Sequence, residues 1–89
     1  MRIVDGFKLR DIMGQKAVIG EGIAQVDFNK MIVLNASAAY LWQSVEGIEF
    51  DIAMLQNLLV EKYGIDRACA ERDAAAIAGQ WISTGLVTR

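Results

Sequence analysis

Between Met31 and Trp42 the chain passes within a few residues from an unbroken apolar run, Met31-Ile-Val-Leu34, to apolar residues at helical spacing. A strand must therefore feed directly into a helix. That junction divides the sequence, because everything before it is strand-like and punctuated by turns. After it come three segments of helical periodicity, which end at Gly47-Ile48, Gly64-Ile65 and Gly85-Leu86. Each pair has the same logic: glycine takes the left-handed conformation that ends a helix, and the next side chain folds back on the last turn.

Upstream, Phe7 to Met13 alternates apolar and charged residues with the period of a half-buried strand, and Gly14-Gln15 reads as a turn. Ala17-Val-Ile19 is a second strand. Gly20-Glu-Gly22 allows a bend, Ile23 to Val26 extends the strand, and Asp27 to Lys30 turns the chain back. The third strand, Met31 to Leu34, is apolar on both faces, as expected either of a strand covered on both sides or of an edge awaiting a ligand. Asn35 or Ser37 can cap the first helix, whose buried stripe is Ala38, Leu41, Trp42 and Val45. The second helix starts at Asp51, with Phe50 and Leu55 placed as a hydrophobic staple and Ile52, Leu55, Leu58, Leu59 and Tyr63 facing inward. The third runs from near Asp66 to about Thr84, with Ala74, Ile77, Ala78, Trp81 and Ile82 on one side. The predicted class is α+β and winged-helix-like: an N-terminal three-stranded antiparallel sheet followed by a three-helix bundle.

With 89 residues the chain has room for one domain, residues 1–89, with a thin core. Hydrophobic residues make up 54% and aromatic ones 8%, so the interior is aliphatic and alanine-rich, with apolar surface to spare for a partner. The longest uncharged run, Met31 to Val45, falls short of the roughly 20 apolar residues that a membrane span needs. Met1 to Gly6 has no apolar core of signal-peptide length, and the single cysteine, Cys69, cannot form an internal disulfide, so a cytoplasmic location is expected. Histidine is absent, which removes the commonest general base and metal ligand. No catalytic residue, metal site or cofactor is expected. A net charge of −2 gives no general attraction to nucleic acid or to anionic lipid.

Leu34-Asn-Ala-Ser-Ala-Ala-Tyr-Leu-Trp42, then Gly47, then Glu61-Lys-Tyr63, then Asp73 inside the last helix, then Gly85-Leu86, resembles the PqqD-like family, named after pyrroloquinoline quinone biosynthesis protein D. The similarity covers roughly residues 7 to 87. It implies a non-catalytic chaperone that holds the leader of a ribosomally synthesised precursor peptide and presents it to a modifying enzyme, often of the radical S-adenosylmethionine type. In that family the leader adds as a strand to the third strand of the sheet and packs against the third helix. Carried onto this chain, the resemblance implies a docking strand of Met31, Ile32, Val33 and Leu34, faced by Asp73, Ala74, Ile77 and Trp81.

Other readings compete. Trp42 and Trp81 have aliphatic neighbours at helical spacing and read as core. Asp73 is either a solvated helix residue or an acceptor for a bound segment. Cys69, with no second thiol, reads as a small residue at a helix surface or a helix–sheet contact. A winged helix that binds DNA would need a basic surface, yet Arg67 and Arg72 stand among Asp66, Glu71 and Asp73. An apolar edge could instead pair with a second copy, giving a homodimer.

Overall fold

The computed structural model describes residues 1–20 and 31–88. In chain order these form β1 (Arg2–Ile3), β2 (Phe7–Ile12), β3 (Gln15–Gly20), β4 (Met31–Leu34), α1 (Ala36–Val45), α2 (Ile52–Tyr63), α3 (Arg67–Ser83) and β5 (Val87–Thr88). The main sheet is antiparallel with the order β2-β3-β4, and three helices follow it, as the sequence implies. Leu9, Val18 and Ile32 stand opposite one another across its three strands and pack into the core. Side chains two residues away on each strand share that inner face.

The turn between β2 and β3 lies one residue earlier than the sequence reading places it. Gln15 pairs with Ile12 in the ladder, so the loop is Met13-Gly14. Both have positive φ, 52° and 83°, as a two-residue turn of the primed type requires. Met13 thereby leaves the strand and is fully solvated. The bend expected from Gly20 to Gly22 falls partly, and the extension over Ile23 to Val26 and the turn over Asp27 to Lys30 fall wholly, outside the described residues. A second, two-stranded sheet pairs β1 with β5, Ile3 opposite Val87, and the Val4 N–H donates to the Leu86 carbonyl at 2.9 Å. The sequence reading contains neither strand, since two residues are too few to display a period.

All three helices open on an acidic or amide cap. Asn35 Oδ1 accepts from the Ala38 N–H, Asp51 Oδ1 from Met54 and Asp66 Oδ1 from Cys69, each at 2.8 Å. Ser37 donates its hydroxyl to Asn35 at 3.0 Å, which makes Asn35 the cap and Ser37 its support. Gly47, Gly64 and Gly85 all have positive φ, but the fold-back of the next side chain differs. Leu86 is fully buried and Ile65 packs against the core, whereas Ile48 is exposed. The inner face of α2 is also narrower than expected: Leu55 and Leu59 are buried and Leu58 partly so, while Ile52 and Tyr63 are exposed.

Trp42 of α1 and Trp81 of α3 meet edge to face with centroids 5.3 Å apart, and Phe50 approaches Trp81 in the same manner at 6.2 Å. All three are buried. Ala70, Ala74 and Ala78 form a fully buried stripe at i, i+4 and i+8, which lets α3 lie close to its neighbours. The α2–α3 junction offers a clean test of the stop signal. Gly64 has φ 65°, and a methyl added there meets nothing within 4 Å, so Gly64→Ala disturbs only the backbone conformation. The expected loss is about 1 kcal/mol, a fall in Tm of roughly 4–8 °C by thermal denaturation. An unchanged Tm would show that this helix end does not depend on the left-handed residue.

Candidate functional site

The main sheet has two edges of opposite character. On β2 the residues Lys8, Arg10 and Asp11 are exposed, and such charges discourage further strand pairing. On β4 there is no charge at all: Met31, Ile32, Val33 and Leu34 are aliphatic or thioether residues. One side of β4 pairs with β3 in the register Lys16 to Leu34, Ala17 to Val33, Val18 to Ile32 and Ile19 to Met31. Among the described residues no strand pairs with its other side. Alternation sets the four side chains apart, since Leu34 is buried and Ile32 packs against the core, while Met31 and Val33 are 57% and 49% exposed. Of the two alternatives for this strand, the described residues present it as an edge.

A groove of about 660 Å³ opens beside the C-terminal half of β4. Val33 and Leu34 form one wall, Ile77 and Gln80 of α3 contribute another, and the start of α1 adds Asn35, Ala36 and Ala38. Gly14, Gln15 and Lys16 close the end at the β2–β3 turn. The strand-to-helix junction positions this site: because α1 starts immediately after β4, its first turn lies at the end of the open edge. Small alanine side chains there leave space for a larger one from outside. Among the described residues the lining combines an apolar surface, neutral amides and one formal charge, Lys16. Such a surface can accept an extended chain, with main-chain bonds to β4 and alternate side chains in the groove.

The residues implied by the resemblance are not all brought together. Val33, Leu34 and Ile77 line the groove. Met31 and Ile32 continue the same edge beyond it. Asp73 is exposed one helical turn before Ile77, outside the lining. Ala74 and Trp81 are completely buried and belong to the core, so neither offers a surface to a ligand. Gln80 and Lys16 also line the groove but are not among the residues that the resemblance implies. The first follows Ile77 at i+3 and could have been found by periodicity; the second reaches the site only through the β3–β4 register, for which no local signal exists.

Cys69 is partly exposed near the start of α3, where its Sγ lies 3.4 Å from an Arg72 guanidinium nitrogen. Among the described residues, no three His, Cys, Asp or Glu side chains converge as metal ligands, and no helix is long and apolar enough to cross a membrane.

Comparison with known proteins places this geometry in context. The family model described as coenzyme PQQ synthesis protein D (PqqD) matches residues 18–87. A solved structure of TbiB1 in complex with the TbiA(beta) leader peptide superposes with a TM-score of 0.74 over 97% of this chain and 93% of that chain. The two sequences are 17% identical, so the likeness is one of fold. No curated protein matches the sequence.

Proposed function

Because this chain belongs to the PqqD family, we propose that it is a non-catalytic recognition module, which captures the leader of a ribosomally synthesised precursor peptide by strand addition. The observation that carries this reading is the uncharged edge of β4 beside the groove, which no strand among the described residues pairs. Exposed edges invite aggregation, and proteins ordinarily blunt them with charge, as β2 does here. An edge left apolar and next to a cleft has a use for its free N–H and C=O groups. The leader extends the sheet along Met31, Ile32, Val33 and Leu34, and one of its apolar side chains enters the groove against Leu34 and Ile77. Asp73, exposed one helical turn before Ile77 and outside the groove lining, can accept hydrogen bonds from a bound segment that extends past it. Ala74 and Trp81 act from within the core, where Trp81 holds α3 against Trp42 and Phe50.

Strand addition immobilises only the leader and leaves the rest of the precursor free. The module therefore presents the modifiable part to a separate enzyme, of the radical S-adenosylmethionine type or another peptide-modifying class, and itself makes and breaks no covalent bond. Main-chain bonds and a small number of anchors, set against association and ordering costs, give an expected Kd on the order of micromolar. The fold's likeness to a leader-peptide complex supports the same reading.

Amide hydrogen exchange tests it directly. With the leader of a precursor encoded beside this chain present at a hundred times its Kd, amides of residues 31–34 that are open to solvent are expected to exchange about a hundredfold more slowly. Binding that slows exchange elsewhere and leaves these residues unchanged would refute strand addition at β4.

A further inference from the structure

Among the described residues Lys16 is the one charged residue lining the groove, and its position follows from the sheet. It stands opposite Leu34 on β4 and opposite Asp11 on β2, on the same face as the buried Val18 two residues on. Its ammonium donates to Asp11 Oδ2 at 2.7 Å, with the lysine side chain 42% exposed and the aspartate 64%. An ammonium has three donors, so the pair with Asp11 leaves two for another acceptor. Ion pairs exposed to this degree are weak and readily shared.

The other polar groups of the lining, on Gln15, Asn35 and Gln80, carry no charge that would repel a carboxylate or replace Lys16. Asp11 partly neutralises the ammonium, so free anions gain little there. A carboxylate is recognised when apolar anchoring has already brought it to the end of the groove.

We propose that Lys16 is a specificity-determining residue: the segment bound along β4 carries an aspartate or glutamate that pairs with it, at a fixed spacing from the apolar side chain seated against Leu34 and Ile77. The proposal rests on the peptide-binding reading and narrows its ligand to acidic-apolar segments. It also orients the segment, because the acidic residue must lie at the β2–β3 turn end of the groove.

The probe is a display library of random twelve-residue peptides, selected in parallel on the unaltered protein and on Lys16→Glu, with exchange protection of residues 31–34 used to identify peptides bound at β4. The unaltered protein is expected to enrich Asp or Glu at one fixed offset from an apolar residue. Lys16→Glu is expected to bind those peptides about tenfold more weakly and to enrich Lys or Arg at the same offset. Lys16→Gln should weaken them by less and show no charge preference. Peptides that protect β4 but show no acidic bias, with Lys16→Glu binding them equally well, would overturn this inference and leave peptide binding intact. Failure of the folded, unaltered protein to select any peptide would overturn the peptide-binding reading, and this inference with it.

Discussion

Trp81→Ala is expected to remove a large part of the stability of the fold. Trp81 is completely buried, meets Trp42 at 5.3 Å and Phe50 at 6.2 Å, and thus joins α3 both to α1 and to the segment before α2. Removal of a buried aromatic ring of this size costs about 3–5 kcal/mol. Against a typical total of about 5–15 kcal/mol for a folded domain, that is a large fraction. The expected fall in Tm is at least about 12 °C, measured by circular dichroism or calorimetry. Among the described residues neither indole N–H, of Trp42 or of Trp81, has a hydrogen-bond acceptor. Trp81→Phe should therefore be much milder, because it keeps a ring in place and removes a buried donor. If Trp81→Ala melted with the parent, the aromatic cluster would not be the keystone of this core.

Ile77→Glu is expected to weaken leader binding at least about 10-fold while the protein stays folded. Ile77 is only partly buried and faces the groove from α3, so a polar replacement can reach solvent in the free protein. In the complex the same carboxylate would meet the bound apolar side chain. Loss of that burial, about 1.5–3 kcal/mol, with the added burden of desolvating a charge, corresponds to a Kd raised roughly 10- to 100-fold or more. Ile77→Leu should bind within a few-fold of the parent. Calorimetric titration reads both variants, and normal leader affinity in folded Ile77→Glu would place the docking surface elsewhere.

Much of the architecture was legible because local chemistry dictates it. Asn35, Asp51 and Asp66 cap helices whose limits agree with the spacing of their apolar residues, and Gly47, Gly64 and Gly85 adopt the conformation that ends them. The two tryptophans lie in the core as their aliphatic neighbours suggest. The misplacements have physical causes. Met13 has the character of a strand residue yet forms the turn, because ladder pairing of Ile12 with Gln15 outweighs its own preference. Ile52, Tyr63 and Ile48 are apolar but exposed, since a small chain lacks the interior volume to cover every apolar side chain.

The candidate site divides along the same line. Chain order and periodicity were enough to mark Met31 to Leu34 as a strand and Ile77 as part of the apolar side of the last helix, because a strand's pattern and a helix's stripe are both written in consecutive residues; that the two face each other was implied by the family resemblance alone. Whether that strand had one partner or two could not be read from it, since a central strand and an apolar edge have the same composition. Tertiary structure decided that β4 has β3 as its one strand partner among the described residues, that Ala74 is fully buried, and that Lys16 arrives beside Leu34. Each of these is a relation between residues distant in sequence, set by strand register and helix packing, which no single segment encodes alone.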